Sequence, residues 1–70
     1  MGLYNMEDFA LRVLIEIDSI MVNGDIALGC NCIESFVQTF PAEYAVGKVM
    51  YKYRSNADVR ALNEKYYPTE

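Results

Sequence analysis

The two cysteines are the residues whose type and spacing come closest to a chemical motif. Cys30 and Cys32 are separated by one residue, a spacing that could serve metal binding or redox chemistry. A structural zinc site needs four nitrogen or sulfur ligands, and the sequence contains no histidine. The spacing also differs from the C-x-x-C of thioredoxin-like sites. We therefore expect two thiols that pack as small apolar side chains, with no metal and no cofactor. A homodimer that pools its cysteines across a two-fold axis is the alternative.

Enzymatic catalysis lacks its usual components in this sequence. Ser19, Ser35 and Ser55 have no histidine to activate them, so a Ser-His-acid site is excluded. The glycines do not form a phosphate-binding loop. Asp18 and Asp25 lie near a glycine but miss the spacing of an EF-hand. The sequence predicts a protein that is not an enzyme and has no catalytic residue.

Length and charge narrow the class of protein further. A chain of 70 residues with 53% hydrophobic residues has room for one domain with a small core. The formal net charge is −4, and Arg12 is the only basic residue among the first forty. Phosphate backbones repel such a chain, which argues against a nucleic-acid partner. No apolar run approaches the roughly 20 residues of a membrane span, and no secretory signal is expected. A reducing cytoplasmic location is the expectation.

Apolar periodicity and capping residues predict four helices. They run over 6–22, 32–40, 41–54 and 57–66. Asn5 is the expected cap of the first, and Pro41 is the expected first residue of the third, where a missing N–H is tolerated. Residues 25–31 stay open because Gly29 weakens a helix. A strand is the less favoured alternative over 11–17, where β-branched residues alternate. The short connections predict a single all-α domain, either a four-helix bundle or an orthogonal helical array.

Two of the predicted helices carry apolar residues outside their core stripe. On the first, three apolar residues form a second, narrower stripe on the helical wheel. On the third, two tyrosines lie opposite the core face with two basic residues around them. Tyrosine and arginine are over-represented among residues that dominate binding energy. The predicted partner-binding residues are Leu11, Ile15, Val22, Tyr44, Lys48, Tyr51 and Arg54. The alternative is that neighbouring helices of the same chain cover them.

These features favour a non-catalytic protein–protein interaction module. The hypothesis is a small regulator or inhibitor that occludes a larger protein, or a chain that pairs with itself as a homodimer. Small acidic chains of this kind are typical of phage-encoded inhibitors such as anti-CRISPR proteins, a likeness of size and composition only. The alternative is a homodimeric nucleic-acid-binding regulator in which the last two helices mimic a helix-turn-helix. Its phosphate contacts would be Lys48, Lys52, Arg54, Arg60 and Lys65.

Overall fold

The computed structural model describes residues 6–68, and over that range the chain forms four α-helices and no strand. The helices are α1 (Met6–Val22), α2 (Ile26–Thr39), α3 (Val46–Lys52) and α4 (Ala57–Tyr66). The predicted all-α class is therefore confirmed. The bounds of α1 and α4 coincide with the predicted ones, whereas α2 is longer and α3 shorter than expected. The expected Asn5 cap of α1 lies outside the described residues.

The start of α2 corrects the prediction, because the helix begins at Ile26 and not near Cys32. Gly24 makes the turn after α1 with φ +93°, a conformation that glycine adopts without strain. Asp25 then caps α2 by accepting a hydrogen bond from the Leu28 amide at 3.3 Å. Gly29 does not interrupt the helix, because it lies against Met21 of α1 and its missing side chain allows the two helices to approach closely.

The start of α3 corrects a second prediction, because Pro41 is not the first residue of that helix. The amide of Phe40 bonds the Phe36 carbonyl at 2.8 Å and ends α2. The residue before a proline disfavours helical geometry, and Phe40 accordingly has φ −125° and ψ 66°. Turns follow over 41–45, held by a bond from the Glu43 amide to the Phe40 carbonyl at 3.0 Å. The third helix is therefore reduced to the seven residues from Val46 to Lys52.

The core is formed by the inward faces of all four helices. Asn56 fixes the start of α4 by accepting bonds from the amides of Asp58 at 2.9 Å and Val59 at 3.2 Å. The buried apolar residues are Ala10, Leu14, Ile17, Met21, Ile33, Phe36, Val37, Val46, Met50 and Val59. No buried polar or charged residue occurs among the described side chains. Burial of this apolar surface is the main stabilising contribution to the fold.

The array of helices is thin. Its principal extents are 43 × 31 × 16 Å, and its radius of gyration is 12.2 Å, against about 11 Å expected for a compact chain of this length. A helix with its side chains is about 10–12 Å across. The shortest dimension therefore leaves little room to cover a helix on two sides, and outward faces remain in contact with solvent.

Candidate functional site

The second stripe of α1 is exposed along its length. The side chains of Leu11, Ile15 and Val22 are 43%, 70% and 64% exposed. Their spacings of four and seven residues place them on one side of the helix. Isolated apolar side chains are common on the surface of a small domain, whereas several on one side of a helix form an apolar patch.

A groove of about 450 Å³ runs between this stripe and α3. Leu11 and Ile15 line the α1 side of the groove, and Lys48 lines the α3 side. The complete lining is Leu11, Leu14, Ile15 and Asp18 from α1, with Ala45, Lys48, Val49 and Lys52 from α3 and the residue before it. We call these residues, together with Val22, the α1–α3 surface. Three of the predicted partner-binding residues are thus brought together, and Val22 extends their stripe beyond the groove.

A polar clamp at Asp18 holds α3 against α1. Lys52 Nζ donates to both carboxylate oxygens of Asp18, at 3.2 and 3.3 Å, and the Tyr53 hydroxyl donates at 3.1 Å. The hydrogen bond to Asp18, with its negative charge, raises the pKa of Lys52. Burial raises the pKa of Tyr53, and the Asp18 contact adds to the rise. Asp18 and Lys52 are therefore paired with each other. Lys48, the other cation that lines this groove, has no carboxylate partner among residues 6–68.

A second groove, of about 610 Å³, lies on the other side of α3, against α4. Two predicted residues, Tyr51 and Arg54, line it together with Arg60, which the prediction of partner-binding residues did not include. The complete lining is Gly47, Met50, Tyr51, Arg54, Ala57, Arg60, Ala61, Asn63 and Glu64. We call it the α3–α4 groove. Arg60 could not be assigned to it from the sequence, because its position depends on how α4 packs beside α3.

The two arginines of the α3–α4 groove are held by the backbone. The Arg54 guanidinium lies over the Tyr51 ring, 4.0 Å from its centroid, and Arg54 Nη1 donates to the Tyr51 carbonyl at 2.9 Å. Arg60 Nη1 donates to the Arg54 carbonyl at 2.7 Å. A cation over an aromatic face is attracted by the ring quadrupole, whose face is electron-rich. Tyr51, which is 66% exposed, is therefore part of an ordered cluster with Arg54.

Tyr44 lies outside both grooves. Its side chain is 69% exposed, and its ring packs edge-on against Tyr67 at 5.9 Å. The Tyr67 hydroxyl is buried and has no hydrogen-bond partner among residues 6–68. Burial is the main cause that raises the pKa of Tyr67. The seven predicted residues are thus all exposed, but they do not form one patch. They are divided between the α1–α3 surface, the α3–α4 groove and the Tyr44–Tyr67 pair.

The same helices expose apolar residues that the prediction did not include. Phe9 of α1 and Leu28 of α2 are both exposed. The Phe9 ring lies 5.9 Å from that of Phe40 and lines a shallow groove of about 390 Å³ between α1 and α2. The wheel of the first helix assigns Phe9 to the core stripe, so its exposure follows from the position of α2 and has no local sequence signal.

The two cysteines lie in α2. Cys30 and Cys32 are free, half-buried thiols packed against the core. Burial raises the pKa of Cys30, and the nearby negative charge of Asp58 adds to this effect, so the reactive thiolate is disfavoured at neutral pH. Within residues 6–68, no three cysteine or acidic side chains are grouped as a metal site.

Comparison with known proteins gives no relative from which to transfer a function. No family model, curated protein or solved structure matches the chain. In the part of the chain that the structure describes, no helix has both the length and the apolar character needed to traverse a bilayer. The geometry of the two grooves beside α3 is therefore the basis for a functional proposal.

Proposed function

We propose that this chain is a non-catalytic interaction module that binds another protein through the α1–α3 surface and so occludes that protein's own surface. The observation that carries the proposal is the exposed stripe formed by Leu11, Ile15 and Val22 beside the α1–α3 groove. A regulator or inhibitor of this kind needs no catalytic group, only a complementary surface that excludes the partner's other ligands.

The composition of the surface suits a protein partner. Its centre is apolar, with Leu11 and Ile15 above the buried Leu14 and the half-buried Val49. Its edge is polar, with Lys48 on one side and the Asp18–Lys52 ion pair at one end. Interfaces typically have such an apolar centre and polar rim. Burial of one large aliphatic side chain contributes about 1.5–3 kcal/mol, so Ile15 alone could decide whether a complex forms.

The decisive experiment substitutes Ile15 with aspartate. The matched control is Gln38→Asp, which adds the same charge at an exposed position of α2. Affinity capture from the native cells, with quantification of what co-purifies, compares both variants with the wild type. We expect Ile15→Asp to lose the captured partner and Gln38→Asp to retain it, because only Ile15 lies in the α1–α3 surface. Circular dichroism is expected to show the same helical content for all three chains.

Two results would contradict the proposal. If Ile15→Asp captures the same proteins in the same amounts, the α1–α3 surface is not the contact. If the substitution unfolds the isolated chain, Ile15 is a core residue despite its exposure. Sedimentation equilibrium of the wild type tests whether the partner is a second copy, since a homodimer would exceed the 8.0 kDa of one chain in a concentration-dependent way. We expect Ile15→Asp to abolish any such self-association.

The helix-turn-helix alternative requires five basic residues to contact phosphates, and two of these residues form ion pairs within the chain. Lys52 is ion-paired with Asp18 at 3.2 Å, and Lys65 is ion-paired with Glu34 at 2.8 Å. To contact phosphates, both lysines would have to exchange a carboxylate of their own chain. Titration of a labelled DNA duplex at low salt tests this alternative, and tight binding that weakens steeply with added salt would favour it over the protein-binding module.

A further inference from the structure

The arginines of the α3–α4 groove differ in their partners from Lys52 and Lys65. Lys52 and Lys65 each contact a carboxylate. Arg54 and Arg60 have none within ion-pair distance among the described residues, and both contact backbone carbonyls instead. Glu64 lines the same groove but forms no ion pair with either arginine. Two guanidinium groups therefore face one groove without a bound counter-charge.

The backbone contacts prepare these groups for a ligand. Each guanidinium has five N–H donors, and the contacts described use only one Nη1 atom of Arg54 and one of Arg60. The remaining donors keep the fork geometry that matches a carboxylate. Because the Tyr51 ring and the two carbonyls already restrict the side chains, less side-chain entropy is lost when a ligand binds.

The floor of the groove indicates what kind of anion fits. Gly47, Ala57 and Ala61 present little side-chain bulk, and the buried Met50 lies between the helices. Small residues allow the backbone of a bound segment to approach closely. A free inorganic anion would use the arginines but not the apolar floor, whereas a peptide would use both.

We propose that the α3–α4 groove is a second binding site that takes an acidic peptide segment of a partner protein, with carboxylates on Arg54 and Arg60 and an apolar side chain on the floor. A protein segment fits better than a nucleic acid because the floor of the groove is apolar. A peptide can place an apolar side chain against Met50, Ala57 and Ala61, whereas a phosphate backbone would use the arginines alone. This site lies outside the α1–α3 surface and does not depend on the function proposed for it.

The test titrates the full chain into a short fluorescein-labelled peptide of glutamate and leucine and measures fluorescence anisotropy. The ionic strength is about 0.15 M, where the Debye length is about 8 Å. A peptide with glutamine in place of glutamate and a labelled DNA duplex are the comparison probes. We expect the glutamate peptide to bind and the glutamine peptide to bind far more weakly. Arg60→Gln should weaken binding about tenfold, because charge-assisted hydrogen bonds are the stronger kind.

The control variants separate this site from non-specific attraction. Lys48→Gln removes the same charge from the other side of α3 and should leave the affinity within about twofold, because exposed charges at a distance are screened. Glu64→Gln should strengthen binding several-fold, a gain that misfolding cannot produce. Ile15→Asp should leave peptide binding intact, so failure of this site and failure of the α1–α3 surface are distinguishable.

Several results would overturn the proposal. Equal loss for Arg60→Gln and Lys48→Gln would reduce it to attraction by net charge. Weaker binding by Glu64→Gln would show that the carboxylate does not oppose the ligand. Equal affinity for the glutamate and glutamine peptides would remove the role of carboxylates, and tighter binding of the duplex would assign the arginines to phosphates.

Discussion

Two helical glycines are predicted to respond to alanine with opposite signs, which tests the packing of α1 on α2. A Cβ added at Gly29 would overlap the sulfur of Met21 and lie 2.9 Å from Met21 Cγ, whereas a Cβ at Gly47 would meet no atom within 4 Å. Both substitutions gain about 1 kcal/mol of helix propensity. They therefore differ only in what the new methyl group contacts.

The magnitude at Gly29 follows from the position of Met21. Its side chain is only 2% exposed, and its Cγ is an inner atom, so relief requires repacking of the whole side chain. Overpacking of a core typically costs about 1–3 kcal/mol. Because a Cβ at Gly29 would overlap two atoms of Met21, the cost belongs in the upper half of that range, about 2–3 kcal/mol. After the propensity gain of about 1 kcal/mol, we expect Gly29→Ala to lower the free energy of unfolding by about 1–2 kcal/mol. Gly47→Ala should raise it by about 0.5–1 kcal/mol, because only the propensity term remains.

Urea unfolding followed by far-ultraviolet circular dichroism measures both changes. The dependence of the free energy on urea should stay constant, since the surface exposed on unfolding does not change. The transition temperature should move in the same directions, by about 4–8 °C for each kcal/mol in a domain of this size. A Gly29→Ala variant as stable as the wild type would refute the close approach of the two helices. In a Met21→Ala background, Gly29→Ala should become neutral or stabilising, because the overlapping atoms are gone.

Two further predictions concern polar groups. Tyr67→Phe should raise the free energy of unfolding by about 1 kcal/mol, because it removes a buried hydroxyl that has no hydrogen-bond partner in the described part of the chain. A variant that is less stable in urea titration would show that the hydroxyl is solvated. Hydrogen bonds donated by Lys65 and Tyr66 lower the pKa of Glu34 below its ordinary value of 4.5. The stability that this carboxylate adds is therefore present above that value and lost as the pH falls through the folded-state pKa. Wild type and Glu34→Gln should converge in stability at acid pH, and a constant difference between their urea midpoints would contradict this linkage.

The sequence predicts helix ends that carry a local signal. α4 begins after Asn56, whose side chain accepts two amide bonds, and α1 ends at the turn made by Gly24. The bounds of α2 and α3 depended on tertiary contacts. The sequence indicates that Gly29 weakens a helix. In the packed structure its missing side chain instead leaves space for Met21. Pro41 carries a valid signal for a helix start, but the turn after Phe40 delays α3 to Val46.

The candidate site also has features that the sequence predicts and features that it does not. Exposure of Ile15 and Tyr51 follows from the helical wheel, because each lies away from the core stripe of its own helix. Their assignment to different grooves does not, since it requires the positions of α1 and α4 on either side of α3. Arg60 is a residue whose place in the site the sequence could not predict. Its role in the α3–α4 groove depends on a contact with the carbonyl of Arg54, and no periodicity in α4 encodes that contact.

The position of α3 between the grooves bears on the size of the interface. A standard protein–protein interface buries about 800 Å² on each partner, roughly a sixth of the 4919 Å² accessible surface of this chain. Neither groove is large enough to provide that area alone. Lys48 lines one groove and Tyr51 the other, and they are neighbours on the outer edge of α3. A single partner that covers this edge would therefore contact both grooves, placing apolar groups beside Ile15 and acidic groups beside Arg60. The losses of binding free energy caused by Ile15→Asp and Arg60→Gln should then add in the double variant for that partner, because distant sites without shared contacts contribute independently.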